Sequence, residues 1–206
     1  MYVSKSLKSV FVHIPKTGGT ALKSQLLNNL DFTRHSKKHG WLGLLESEYD
    51  DYSAFALIRN PYWRVLSQYR FFYLRLEYMR VVPEHLKQWR QRFDMYRTFD
   101  ADGFYGFLSI NREFYLTRKN FVPQDQAGYL EHKTIQPVIF RYEEGLQNTA
   151  DKIAEMLGLP KVVLQKNDGV HYLGDYRLED FYDERSIEFV NEFYKRDFEQ
   201  YGYEML

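Results

Sequence analysis

The chain has 206 residues, enough for one domain over 1–206 with a sizeable core. It carries 28 Lys and Arg against 28 Asp and Glu, so no net field marks it as a nucleic-acid binder. It has no cysteine and no long apolar run, which excludes disulfides, thiolate catalysis, zinc–thiolate sites and a membrane-spanning helix.

The charge is unevenly spread. Arg59 to Arg97 holds nine basic and three acidic residues, whereas Asp175 to the end holds four and ten. Solvated helix faces explain such a pattern, and a basic first half also suits an anionic ligand. The first ten residues alternate with polar ones and contain no signal-peptide core, so a complete chain is expected to stay in the cytoplasm.

In chain order, Ser9-Val-Phe-Val-His-Ile14 is short, β-branched and nearly all apolar, which predicts a buried parallel strand. Pro15 to Gly19 breaks the pattern. Leu22, Leu26 and Leu30 then recur every four residues, which predicts a helix over Thr20–Leu30. The same order returns. Ala54–Ile58 reads as a strand, Asn60-Pro61 as a helix start, and Leu66, Tyr69, Tyr73 and Leu76 as one helical face. Val138–Phe140 is a third strand candidate. Ala150, Ile153, Ala154 and Leu157 form a helical stripe closed by Gly158. Ile187, Val190, Tyr194 and Tyr201 predict one C-terminal helix. The stretch Met79 to Gln136 reads as mostly helical.

Strands alternating with helices predict an α/β fold, P-loop-like and three-layered, with a central mainly parallel sheet flanked by helices. Ligands of such sheets bind beyond the carboxyl ends of the strands. The loops after the first two strands therefore face one site.

The first of these loops is Pro15-Lys-Thr-Gly-Gly-Thr20, running into Ala21. Gly18 and Gly19 let backbone N–H groups approach an anion, and the following helix aims its positive end there. Lys16 adds a full charge, and Thr17 and Thr20 add hydroxyls. This is a cradle for phosphate or sulfate. It is not a Walker A loop, because Lys16 precedes both glycines, and that counts against an ordinary ATPase or GTPase. In the second loop, Arg59 ends an apolar strand, and its planar fork of donors suits a phosphate. Ser67, eight residues on, adds one hydroxyl. Arg64 reads as structural, paired with a carboxylate.

Pro15-Lys-Thr-Gly-Gly-Thr20 resembles the 5′-phosphosulfate loop of sulfotransferases that use 3′-phosphoadenosine-5′-phosphosulfate (PAPS). The resemblance is closest to the carbohydrate branch that includes heparan sulfate 2-O-sulfotransferase and bacterial members. Arg59 to Tyr69 resembles the same family's 3′-phosphate segment, with Arg59 and Ser67 in the expected places. Pro123-Gln124, Arg141-Tyr-Glu143 and Asp197 to Tyr203 are similar more weakly.

His, Asp and Glu do not cluster at metal-ligand spacing, so no metal is expected. The resemblance implies PAPS as cofactor, adenosine 3′,5′-bisphosphate as product, and an acceptor hydroxyl, by family precedent that of a carbohydrate. It implies that Pro15, Lys16, Thr17, Gly18, Gly19, Thr20, Ala21, Arg59 and Ser67 hold the cofactor, and that Lys16 stabilises charge on the leaving oxygen. His39 is the candidate base, with the intrinsic pKa for the task, and a His in this segment has that role in resembling sequences. His35, Glu46 and Glu48 are its rivals. His13 reads as a packed residue. Lys166 to Arg177 matches the place of a cofactor-covering loop, and an ordinary surface loop reads equally well. The alternatives weighed are a nucleotide-dependent kinase and a nucleotide- or glycan-binding module without catalysis.

Overall fold

The computed structural model describes residues 1–28, 30–35, 40–79, 103–109, 112, 123–165 and 177–206. Its five strands are β1 (Tyr2–Ser4), β2 (Ser9–Val12), β3 (Thr33–Arg34), β4 (Ser53–Ile58) and β5 (Val138–Arg141). They form one sheet in the order β3-β1-β2-β4-β5. β2, β4 and β5 run parallel, with Phe11 beside Phe55 and Phe55 beside Val138. β1 is antiparallel to both of its neighbours, β2 and β3. Two reversals cancel, so β3 points the same way as β2. Four of the five strands thus end at the same edge of the sheet, which is the mainly parallel arrangement that the sequence predicts.

The three strands read from sequence are all present. β1 and β3 are additions, three and two residues long, too short to show a period. The helices are α1 (Gly19–Gln25), α2 (Pro61–Met79), α3 (Gln126–Leu130), α4 (Leu146–Met156), α5 (Glu184–Phe193) and α6 (Lys195–Tyr201), and residues 103–109 are also helical. α1 is shorter than predicted. The N–H groups of Leu26 and Leu27 both bond the Leu22 carbonyl, at 2.9 and 3.1 Å. The spiral loosens there and passes into a turn at Asn28, a residue type that competes for backbone bonds. The predicted single C-terminal helix is two helices, parted at Tyr194, whose φ of −112° and ψ of 21° leave the helical region. α4 ends as the sequence suggests. Gly158 takes φ +66°, its N–H bonds the Glu155 carbonyl, and the Leu159 N–H bonds the Ala154 carbonyl.

The chain divides into two compact units, one of Met1–Asn60 with Val122–Asp175 and one of Pro61–Phe121 with Tyr176–Leu206. The first contains the sheet. Every residue of β2 and all of β4 after Ser53 is buried, as expected for strands covered on both faces. On one face Phe11, Phe55, Leu57 and Phe140 pack with Leu22 of α1, with Leu26 just after it, and with Ala150, Ile153 and Ala154 of α4. The second unit is built on rings. Tyr62, Phe104, Phe107, Tyr182, Tyr194 and Phe198 are buried with Val65, Leu66 and Val190. Arg64 and Asp197 are both buried and face each other at 4.0 Å, the structural pairing expected for Arg64. Among the described residues no helix is long and apolar enough to cross a membrane.

Candidate active site

The carboxyl ends of β2, β4 and β5 deliver Pro15–Thr20, Arg59 and Tyr142 to one sheet edge, all within the first unit. Beyond β2, the His13 ring stacks on Phe11, with centroids 5.7 Å apart and planes 15° apart. It is the packed residue that the sequence suggests, 2% exposed. Gly19 lies against it, and a Cβ there would sit 2.5 Å from His13 Cδ2. Gly18 has φ +87°, and its Cβ would meet Leu146 at 2.6 Å and Tyr142 at 3.0 Å. Packing therefore explains both glycines: His13 excludes a side chain at Gly19, and Tyr142 with Leu146 excludes one at Gly18.

The loop's hydroxyls divide. Thr17 is buried and donates to the Ile14 carbonyl at 3.1 Å, so its proton serves the loop itself. Thr20 is exposed at the start of α1. Lys16 is half-buried and has φ +70°, in the left-handed region that L residues occupy at a cost. Such outliers gather at functional sites, where surrounding contacts hold them. One of those contacts is the Arg59 guanidinium, whose Nη1 donates to the Lys16 carbonyl at 3.4 Å.

Arg59 is bracketed from three directions. Its guanidinium carbon lies 4.2 Å from the centroid of the Tyr142 ring, in cation–π range. Its backbone is held by the side-chain amide of Gln126, which accepts from Arg59 N and donates to Arg59 O, both at 2.8 Å. The next residue, Asn60, donates its N–H to Glu143 Oε1 at 2.7 Å. Tyr142 and Glu143 lie in one of the weaker sequence similarities, and their place just after a strand was a usable signal. Gln126 gave none, since Gln beside Asp125 reads as an ordinary helix start.

Of the histidines near this edge, His35 follows β3, and the shared strand direction places it at the carboxyl edge. Its ring meets Tyr49 edge-on at 5.0 Å. A hydrogen bond to Glu48 raises the Tyr49 phenol above its ordinary value, so the ring beside His35 is neutral. His35 Nδ1 is buried, and among the described residues it has no hydrogen-bond partner. His39 and residues 166–176 lie outside the described residues. Ser67 sits half-buried on α2, in the second unit. Among the described residues no three acidic or His side chains gather as metal ligands do.

A model of the sulfotransferase family matches residues 1–204. No curated protein and no solved structure matches the chain significantly.

Proposed function

Because the chain belongs to the sulfotransferase family, we propose that it moves a sulfuryl group from PAPS to an acceptor hydroxyl, and that the acceptor is a carbohydrate. We take residues 1–206 as one sulfotransferase domain, since the family match runs through both compact units. The observation that carries the reading is the pairing at one sheet edge of a strained Lys16 with a thrice-bracketed Arg59. A cation beyond each of two strand ends suits a ligand with separate 5′ and 3′ anionic groups. The resemblance to the carbohydrate branch supports the choice of acceptor.

In this reading Pro15 to Ala21 hold the 5′ end, through backbone N–H groups, the Lys16 ammonium and the exposed Thr20 hydroxyl. Bound there, PAPS supplies the sulfuryl group, and its bridging oxygen keeps the electron pair of the broken S–O bond. Lys16 places its charge where that negative charge grows, a preorganised stabiliser. His39 takes the proton of the acceptor hydroxyl as the acceptor oxygen bonds sulfur. The products are a sulfate ester and adenosine 3′,5′-bisphosphate. Arg59 holds the 3′-phosphate. Ser67 has the role that the resemblance gives it, one hydroxyl to the same group, as an assignment from sequence.

Calorimetry tests the reading. Adenosine 3′,5′-bisphosphate should bind far more tightly than ADP or ATP, with EDTA present. Arg59→Ala should remove most of that preference, since a charge-assisted phosphate contact is worth about 2–3 kcal/mol. Equal affinity for nucleotides with and without the 3′-phosphate, or binding that requires magnesium, would sink it. A screen of carbohydrate, lipid and phenolic acceptors with labelled donor then tests the acceptor class.

A further inference from the structure

We propose that Gln126 is a positioning residue for 3′-phosphate recognition, acting through the backbone of Arg59. The inference rests on the reading of Arg59 just given.

β4 ends at Ile58, so the Arg59 N–H and C=O emerge beyond its last strand residue. Gln126 supplies the acceptor and donor that another strand would, through two bonds of 2.8 Å. A primary amide is the neutral side-chain group able to answer a peptide in both senses at once. Gln126 comes from 67 positions along the chain and is wholly buried, so the contact is neither local nor accidental surface pairing.

Gln126 is itself fixed. It is the first residue of α3, and Asp125 caps that helix by accepting from the Gly128 N–H at 2.9 Å. Gly128 leaves room for the cap, because a Cβ there would fall 2.6 Å from Asp125 Oδ1. A chain of held groups thus runs from the α3 cap to the Gln126 amide and on to the Arg59 peptide. The φ and ψ of Arg59 decide where its guanidinium starts from, and Tyr142 at 4.2 Å decides the plane it lies in. Loss of the Gln126 amide leaves the strand, the Tyr142 contact and the Asn60–Glu143 bond, but removes both side-chain bonds to the Arg59 backbone and so loosens it. A guanidinium that wanders loses the fork geometry on which phosphate recognition depends.

The test is a double-mutant cycle read by calorimetry with two probes, adenosine 3′,5′-bisphosphate and AMP, which lacks the 3′-phosphate. Gln126→Met keeps length and volume and removes both bonds. It is expected to cut the preference for the bisphosphate about tenfold while AMP affinity changes less than about twofold. Added to Arg59→Ala, it should cause no further loss, because its effect passes through that side chain. If Gln126→Met does not fold, Gln126→Asn replaces it in the same cycle, since it keeps a buried amide that is one methylene too short to make both bonds to Arg59. A folded variant with its preference intact, an equal loss for both probes, or full additivity with Arg59→Ala overturns the inference. If Arg59→Ala itself leaves the preference unchanged, the reading of Arg59 fails first and the inference falls with it.

Discussion

The sheet-bearing unit takes its order from backbone pairing, and the other unit takes its order from rings. In the first, register sets where each strand ends, so Lys16, Arg59 and Tyr142 reach one edge whatever their side chains prefer. In the second, Tyr62 meets Tyr182 at 5.3 Å and Phe198 at 5.2 Å, and Tyr69 meets Phe104 at 5.1 Å. Ring packing fills volume and tolerates shifts of a few tenths of an ångström better than a phosphate contact does. Groups that must be placed to within a fraction of an ångström belong on strand ends with their peptides tied down, as Arg59 is.

Removal of one group from each unit separates their roles. Lys16→Ala should lower turnover by about 10²–10³-fold, the loss of a preorganised charge, and weaken donor binding far less. Ser67→Ala should lower turnover far less and cost about 10- to 100-fold in donor affinity, since one hydroxyl hydrogen bond to a charged phosphate is worth about 1.5–3 kcal/mol. Steady-state rates of both variants decide. Turnover of Lys16→Ala within about threefold of wild type, or a larger loss from Ser67→Ala, would place the chemistry elsewhere.

A second prediction separates two histidines. His39→Ala should lower turnover about 10²-fold and leave the affinity for adenosine 3′,5′-bisphosphate unchanged, because a base touches the acceptor. His35 leaves the sheet at the same edge, and its buried Nδ1 has no partner among the described residues, which makes it the rival to test first. If His35→Ala costs as much or more, the assignment moves to His35.

The strand–loop–helix order was legible because β2 and β4 are buried on both faces, which demands unbroken apolar runs. The Pro15–Thr20 loop stood out for the same reason, since Lys16, Thr17, Gly18, Gly19 and Thr20 follow such a run almost directly. β1 and β3 were not legible. Three and two residues contain no period, and β1 is specified by its neighbours through the pairs Tyr2–Phe11 and Tyr2–Arg34. The break at Tyr194 was hidden because an apolar stripe can run unbroken through the end of one helix and the start of another. In the loop, Gly18 and Gly19 were read for their openness to an anion, yet Tyr142, Leu146 and His13 already forbid a side chain there. The contacts of Gly18 with Tyr142 and Leu146 are made across distances in sequence that no local pattern records, and that of Gly19 with His13 depends on how the loop folds back.

Both units contain a helix capped by an Asp. Asp125 caps α3 in the sheet-bearing unit, and Asp183 caps α5 in the other by accepting from the Ser186 N–H at 2.8 Å. Each satisfies one of the donors left open at a helix start, so each Asp→Ala change should cost about 1 kcal/mol in denaturant unfolding. For Asp183, hydrogen bonds from the Ser186 side chain and N–H hold the carboxyl below its ordinary value. A depressed folded value means that the cap contributes fully above the unfolded value and is lost as pH falls through the folded one. The wild type and Asp183→Ala should therefore differ at neutral pH and converge in acid. The two caps part company in function. Asp125 orients the helix turn from which Gln126 reaches Arg59, so Asp125→Ala should weaken adenosine 3′,5′-bisphosphate binding by a few-fold. Asp183→Ala caps a helix of the ring-built unit and should leave that affinity within error. Equal affinity in the two variants would mean that the strand end holds Arg59 without help from α3, and that the cap of α3 does no more than the cap of α5.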